Sequence, residues 1–156
     1  MRIRIEKAKR RLSLWQGRQC LYRCPVQLGR CPVGPKRREG DGRTPEGAYR
    51  VCSRNPRSKF YRALGISYPA EPDARAAFRE GRSDRDALRQ IESAVRKRVR
   101  PPWDTPLGGW IMIHGQPSDG RPVARDWTAG CVAVSDADMA WLFAHVAQGT
   151  RVIIRP

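Results

Sequence analysis

Two short stretches in the last third of the chain constrain its fold and chemistry more than any other feature. The first is an apolar run that ends at a histidine, Trp110–Gly115, and the second, Asp126–Val134, contains Cys131 directly after a glycine. The cysteine follows His114 by seventeen positions. A thiol with an ordinary pKa of about 8.5 is mostly protonated at neutral pH, so a nucleophilic cysteine needs a base such as imidazole beside it. The two stretches therefore predict a nucleophile, Cys131, and its base, His114.

Gly130 has a specific role in this prediction. Glycine lacks a Cβ, so the backbone can turn sharply there and present N–H groups beside the sulfur of Cys131. Such N–H groups stabilise the oxyanion of a tetrahedral intermediate, and each donor is worth about 10² to 10³ in rate. We therefore expect an oxyanion hole built from the N–H groups of Gly130, Cys131 and Ala129.

These residues resemble a known family. His114-Gly115 followed by Thr128–Cys131 is similar to the signature of the YkuD-type L,D-transpeptidases. Upstream, Gly40–Tyr49 resembles the family's Gly-x-x-Thr-Pro-x-Gly-x-Tyr segment, and the start of the chain resembles its opening strands. The resemblance covers most of the chain but not residues 71–107, which we expect to be a basic helical insertion in a single catalytic domain, 1–156.

The resemblance implies a fold and a reaction. The fold would be mainly β, a β-sandwich with a few peripheral helices. His114 would take the proton of Cys131, and the thiolate would attack an L-centre carbonyl of a peptidoglycan stem peptide and expel D-alanine. The carbonyl group of Gly115 is the candidate for orienting the imidazole. An amine would resolve the thioester into a crosslink, whereas water would make the enzyme a carboxypeptidase or amidase; no metal or organic cofactor is needed.

The sequence departs from the family pattern beside the nucleophile. Many members carry an arginine two residues after the cysteine, where this chain has Ala133, and many carry a histidine two residues before it, where this chain has Ala129. Family members that read Gly-Cys-x-Ala are associated with hydrolysis of wall-attached peptide links. Transfer and hydrolysis therefore stay open as alternatives.

Several residues are candidates for substrate contacts. The planar guanidinium of Arg43 suits a carboxylate, and the family resemblance implies that the neighbouring Thr-Pro segment shapes a wall of the cleft. Arg121 and Arg125 lie on the polar link between the histidine and the cysteine, and either could replace the missing arginine. The remaining candidates are Tyr68, Thr128 and Ala129.

Charge limits the partners. The chain has 31 lysines and arginines against 15 aspartates and glutamates, which gives a net charge of +16. Such a field attracts polyanions such as nucleic acid, anionic lipid or a carboxylate- and phosphate-rich cell wall. A nucleic-acid-binding module is the alternative from a different class, but no nucleic-acid motif is recognisable. We expect peptidoglycan stem peptides as the partner and no nucleic acid.

Length and hydropathy set further expectations. A chain of 156 residues fits one domain. It has no apolar run of about 18 residues, so we expect no transmembrane segment, and its N-terminus lacks a hydrophobic signal core. We expect a monomer in the periplasm or cell envelope, a location implied by the family and not by these residues.

The other four cysteines leave alternatives open. Disulfide pairing among them allows three connectivities, and buried free thiols are the other possibility. A zinc site is disfavoured because no Cys-x-x-Cys pair is present and neither histidine is near them in sequence, so no metal site is expected. The four residues are Cys20, Cys24, Cys31 and Cys52.

Alternating apolar residues predict strands in the first half of the chain. A strand at Ile3 and Ile5 is followed by a period-two pattern over Leu12–Leu28, typical of a hairpin that turns near Gln16. The glycine- and proline-rich stretch 29–47 is expected to be a long loop. Further strands are predicted over Ala48–Cys52 and Leu64–Tyr68, with a loop that begins at Asn55.

Helical periodicity predicts three helices and a final strand. Asp73–Glu80 closes at a glycine, and Asp84–Val99 has a basic outer face that is either solvated or presents charge to an anionic polymer. Ser135 is the expected N-cap of the third helix, and Thr150–Arg155 is expected to be an edge or near-edge strand. The second helix would be capped by Ser83 with Asp86 and bury Leu88, Ile91, Val95 and Val99, and the third would bury Met139, Leu142, Phe143 and Val146.

Overall fold

The computed structural model describes residues 1–156. It contains eight strands and three helices, so the predicted mainly β class with a few helices is confirmed. The strands are β1 (Arg2–Glu6), β2 (Arg11–Gln16), β3 (Gln19–Pro25), β4 (Gly47–Ser58), β5 (Tyr61–Ile66), β6 (Met112–His114), β7 (Val132–Ala133) and β8 (Arg151–Arg155). The helices are α1 (Glu71–Arg79), α2 (Arg85–Lys97) and α3 (Asp136–His145).

The long strand β4 joins two halves of the sheet, whose order is β3-β2-β1-β8-β4-β5-β6-β7. Its first residues, Gly47–Arg50, pair with β8, and from Val51 to Ser58 it pairs with β5. An isolated bridge between Gln27 and Ala133 brings the two ends of this strand order together. The strands therefore enclose one core of 23 buried residues.

Strand β8 is central, so the expected edge or near-edge position is wrong. It pairs in parallel with β1 and antiparallel with β4. Val152 and Ile154 are almost fully buried, whereas Arg151 and Arg155 are exposed. The alternation of apolar and charged residues in the sequence of β8 shows which of its faces is buried. Its parallel pairing with β1 joins opposite ends of the chain, so no local sequence pattern predicts it.

The expected loop at Asn55 is also wrong, because β4 continues to Ser58. Asn55 pairs with Ala63 of β5, and a tight hairpin at Lys59-Phe60 joins the two strands. The register shifts between Asn55 and Ser58, a stretch that contains a proline. A proline cannot donate to the ladder and is tolerated at such irregularities.

Helix α2 is capped one residue later than expected and buries only part of the expected face, because Ile91 is fully buried but Leu88 is half-buried. The carboxylate of Asp84, and not Ser83, accepts a hydrogen bond from the N–H of Ala87. Val95 and Val99, expected to be buried, are 40% and 54% exposed. Small side chains on the inner face let α2 approach α1 closely. The buried residues of α2 are Ala87, Ile91 and Ala94.

Other expectations are confirmed. The hydroxyl of Ser135 caps α3 by accepting a hydrogen bond from the N–H of Asp138, and Met139 and Leu142 are fully buried. None of the three helices has the length and apolar character needed to cross a membrane. All five cysteines are free thiols, which is one of the two alternatives that the sequence left open.

Candidate active site

The register of two short strands places His114 and Cys131 on one face of the sheet. β6 and β7 are parallel, and Ile113 lies opposite Val132 with both side chains fully buried in the core. Because side chains alternate along a strand, Met112 and His114 on β6 face away from that core, as does Cys131, which directly precedes β7. The predicted nucleophile and base are therefore diagonal neighbours on adjacent strands.

The thiol of Cys131 lies between two backbone groups. Its Sγ is 3.4 Å from the carbonyl oxygen of Trp110, to which it donates, and 3.4 Å from the N–H of Met112, from which it accepts. Burial raises the pKa of Cys131, and this outweighs the lowering effects of the Met112 N–H and of the charges on Lys36 and Lys59. The thiol is therefore protonated at neutral pH and needs a base.

His114 is oriented by the residue that follows it. Its Nδ1 lies 2.8 Å from the carbonyl oxygen of Gly115, which is the contact expected from the sequence. A carbonyl oxygen only accepts, so Nδ1 carries the proton and Nε2 is left with its lone pair. The side chain is 2% exposed, and this burial lowers the pKa of His114 even though the Gly115 carbonyl favours the charged ring. The imidazole is therefore neutral at neutral pH.

Two aromatic rings bury the imidazole, and sequence reasoning missed both. Phe60 stacks on His114 with ring centroids 4.4 Å apart and planes 24° apart, and Trp127 meets it edge-on at 5.6 Å. Phe60 lies at the tip of the β4–β5 hairpin, where the sequence predicted a loop. The two rings fix the imidazole plane and exclude water from one side of it.

The position after the histidine has room only for glycine. A Cβ added at Gly115 would lie 2.4 Å from Oδ1 of Asp136 and 3.0 Å from the carbonyl oxygen of Phe60. The N–H of Gly115 donates to that Phe60 carbonyl, and the N–H of Gln116 donates to Asp136 Oδ1. The turn after His114 is therefore fixed between the β4–β5 hairpin and the start of α3.

Thr128 holds together from inside the loop that carries the predicted nucleophile, residues 126–131, which we call the nucleophile loop. Its hydroxyl donates to the carbonyl of Cys131 at 2.7 Å and accepts from the N–H of Gly130 at 3.1 Å. Thr128 is 3% exposed, so it is a positioning residue and does not offer its hydroxyl to substrate as expected. The N–H of Gly130, an expected oxyanion donor, is occupied, whereas those of Cys131 and Ala129 donate to no protein atom.

The Thr-Pro segment lies directly behind this loop. A Cβ on Gly130, whose φ is 139°, would lie 2.7 Å from the carbonyl oxygen of Arg43. Thr44 is fully buried, and its hydroxyl accepts from the N–H of Gly29, which lies beside Thr128 in an isolated bridge. The segment therefore supports the loop through its backbone and a buried hydroxyl.

An ion pair fixes the start of the loop. The carboxylate of Asp126 accepts from Arg10 Nη2 at 2.6 Å, from Arg10 Nε at 3.0 Å and from the N–H of Leu28 at 3.0 Å. Burial acts to raise the pKa of Asp126, but the Arg10 and Leu28 hydrogen bonds outweigh it and hold the pKa below its usual range. Residues 10 and 126 are far apart in sequence, so no local pattern could have revealed this pair.

The chain matches one protein family along almost its whole length. The model of the YkuD family, described as the L,D-transpeptidase catalytic domain, matches residues 1–154. The chain belongs to the YkuD family. Members of this family act on peptidoglycan, which is consistent with a location at the cell envelope. No curated protein matches the chain.

Solved structures show the same fold as this YkuD domain at low sequence identity. The helical cell shape determining protein Pgp2 from Campylobacter jejuni is 21% identical with a TM-score of 0.67, covering 98% of this chain and 46% of its own. Bd1075 from Bdellovibrio bacteriovorus is 22% identical with a TM-score of 0.62, covering 99% and 47%. An L,D-transpeptidase from Xylanimonas cellulosilytica is 18% identical with a TM-score of 0.53, covering 98% and 59%. The YkuD domain thus spans about half the length of these proteins.

The other expected substrate contacts lie in different places in the YkuD domain. Tyr68 is fully buried, and its hydroxyl donates to the carbonyl of Leu107 at 3.1 Å, so it cannot line the cleft as expected. Arg121 and Arg125 are exposed on the link between the histidine and the cysteine. Ala129 is exposed on the nucleophile loop.

Arg43 is half-buried, with its guanidinium beside Gly34. It reaches the nucleophile loop with its backbone carbonyl and not with its charge. No group of three or more histidine, cysteine, aspartate or glutamate side chains in the domain could hold a metal ion.

Proposed function

We propose that this YkuD domain is a cysteine-dependent L,D-transpeptidase that acts on peptidoglycan stem peptides through a thioester. The observation that carries the proposal is the shared face of Cys131 and His114, with Nδ1 of the histidine held by Gly115. A neutral imidazole and a protonated thiol are the resting states that base-assisted attack requires.

In the first half-reaction, Nε2 of His114 takes the proton of the thiol as Sγ of Cys131 attacks the L-centre carbonyl carbon. The negative charge that develops on the carbonyl oxygen is stabilised by the free N–H groups of Cys131 and Ala129. The tetrahedral intermediate then expels the amine of D-alanine, which takes the proton from the imidazolium. The product is a thioester on Cys131.

In the second half-reaction, an amine of a neighbouring stem attacks the thioester carbonyl and gives its proton to Nε2 of His114. The thiolate of Cys131 leaves and is reprotonated from the imidazolium, and an amide crosslink is released. The net charge of +16 favours binding to an anionic wall polymer. We propose that the domain, with its basic segment 71–107, works as a monomer in the periplasm or cell envelope.

A hydrolase that uses the same pair is the second candidate. The residue two positions after the nucleophile is Ala133, where many family members carry an arginine. Ala133 is fully buried and pairs with His114. The site therefore lacks the arginine that many family members have there. In the hydrolase, water attacks the thioester in place of an acceptor amine and releases a tripeptide.

Mass spectrometry of a disaccharide-tetrapeptide incubated with the wild type and with Cys131→Ala separates these functions. Peptide-linked dimers that are absent with the variant support transpeptidation. Tripeptide alone supports the hydrolase. An unchanged substrate directs the test to larger wall fragments and amidase cleavage, and survival of those fragments too would contradict both functions.

A further inference from the structure

An exposed tryptophan stands beside the nucleophile. Trp110 is 61% exposed, and its carbonyl oxygen is the one that lies 3.4 Å from Sγ of Cys131. Its φ is 57°, in the left-handed region that residues other than glycine rarely adopt. Single exposed apolar residues are common on proteins, but a strained backbone in contact with a nucleophile points to a functional constraint.

A second tryptophan forms a rigid support for Trp110. The ring of Trp103 lies 4.6 Å from that of Trp110, and Trp103 is only 6% exposed. A Cβ added at Gly65 would lie 3.3 Å from the Trp103 ring and 3.1 Å from Sδ of Met112. Trp103 therefore packs on the same face of the sheet as Met112, which is the face that carries Cys131.

An arginine lies on these two rings. The guanidinium carbon of Arg100 is 4.7 Å from the Trp103 ring centroid and 5.9 Å from that of Trp110. Arg100 takes part in none of the ion pairs of the protein. A guanidinium stacked through its face keeps the N–H groups along its edge free, and their fork matches a carboxylate.

We infer that Arg100 and Trp110 form a substrate subsite that binds a carboxylate-bearing residue of the stem peptide next to the reacting carbonyl. The carboxylate pairs with the edge of the Arg100 guanidinium, and the apolar part of the same residue lies on the indole of Trp110. The inference rests on the proposed function, because it names which part of that substrate is recognised.

This subsite gives the segment 71–107 a role in the site. Arg100 and Trp103 both follow helix α2, so residues near the end of the segment lie against Trp110, whose carbonyl contacts Cys131. Arg100 of this segment supplies a cation to the site, whereas the position at which many family members carry an arginine is occupied by Ala133. Arg100 lies outside the two stretches that carry the catalytic pair, whereas Trp110 is the first residue of one of them.

Isothermal titration calorimetry with the Cys131→Ala variant tests the subsite without consuming the ligand. The probes are a synthetic stem tetrapeptide with free carboxylates and the set of peptides in which one carboxylate at a time is amidated. We expect amidation of one particular carboxylate to weaken binding about tenfold, as loss of a charge-assisted pair does. Adding Arg100→Gln should weaken binding of the free peptide by a similar factor but leave binding of that amidated peptide unchanged.

Further variants separate charge from shape. Arg96→Gln removes the same charge from the exposed face of α2, where the side chain has no aromatic partner, and should leave every affinity unchanged. Arg100→Lys keeps the charge without the planar fork and should restore only part of the affinity. Trp110→Ala should weaken the free and amidated peptides alike. Equal effects of Arg100→Gln and Arg96→Gln would overturn the subsite.

Failure of the subsite and failure of the proposed function give different results. If the wild type turns over the tetrapeptide and Arg100→Gln leaves KM and binding unchanged, the subsite is wrong and the function stands. If no stem peptide binds to Cys131→Ala or is turned over by the wild type, the proposed function and the subsite are both overturned.

Discussion

Nδ1 of His114 lies 2.8 Å from the carbonyl oxygen of Gly115, the next residue in the chain. This contact fixes the tautomer, so that Nε2 is the nitrogen available as a base. Burial lowers the pKa of His114 and raises that of Cys131, so both groups are neutral at neutral pH. The domain therefore holds no thiolate at rest, and in the proposed mechanism the proton moves to the imidazole as the sulfur attacks.

The acid limb of the pH profile should follow from this state. The proposed mechanism requires neutral His114, so kcat/KM should fall as the pH drops through the pKa of this residue, and the midpoint should lie below the ordinary histidine value of about 6.5. Consumption of a stem tetrapeptide measured between pH 4 and pH 8 checks this. A midpoint above the ordinary value would contradict a buried neutral base.

Removing the ring that stacks on His114 should shift its titration. Phe60→Ala opens one side of the imidazole to water, which weakens the desolvation that lowers its pKa, so the pKa of His114 should rise towards about 6.5. The histidine NMR signals followed against pH provide the measurement. Phe78→Ala, which truncates a partly exposed aromatic side chain on α1, is the matched control and should leave the curve unchanged.

The hydroxyl of Thr128 should matter for catalysis through position alone. Thr128→Val keeps the shape and removes both hydrogen bonds that hold the nucleophile loop, each worth about 1 kcal/mol, so kcat should fall at least about tenfold. Thr128→Ser keeps the hydroxyl and should retain most of the activity. Similar losses in both variants would show that the methyl group, and not the hydroxyl, supports the loop.

The ion pair between Arg10 and Asp126 should stabilise the fold. Asp126→Asn should lower the free energy of unfolding by about 1–3 kcal/mol, because it weakens a charge-assisted contact and alters acceptors for Arg10 and Leu28. Urea denaturation measures this change. Asp119→Asn, whose carboxylate is 62% exposed and 3.8 Å from Arg121, is the control and should change stability by less than about 0.5 kcal/mol.

The same ion pair should show a defined pH dependence. The folded-state pKa of Asp126 lies below the unfolded value of about 3.9, so the stabilisation is present above that value and is lost as the pH falls through the folded-state pKa. The stability difference between wild type and Asp126→Asn should therefore be constant near neutral pH and shrink in acid. A difference that grows in acid would contradict the direction of the shift.

Local sequence signals predicted part of the site and the fold. The pairing of His114 with Cys131 could be predicted from their spacing because each lies in a short local motif. The cap of α3 at Ser135 was visible for the same reason. The role of the Gly115 carbonyl, by contrast, was implied by the family resemblance.

What the sequence could not show depends on contacts between distant segments. Arg10 meets Asp126 across most of the chain, and Phe60 reaches His114 only because β4 extends into a hairpin. Tyr68 was expected at the cleft, but its environment is decided by packing, which no residue pattern reveals. The parallel pairing of β1 with β8 is hidden for the same reason.

Intact-protein mass spectrometry after brief exposure to a stem tetrapeptide tests the central claim most directly. The account predicts that the wild type gains the mass of the tripeptide acyl group and that peptide mapping places it on Cys131 and on none of the other four cysteines. His114→Ala should gain this mass far more slowly, and Cys131→Ala should gain none. An acyl adduct or full turnover with Cys131→Ala would contradict the account.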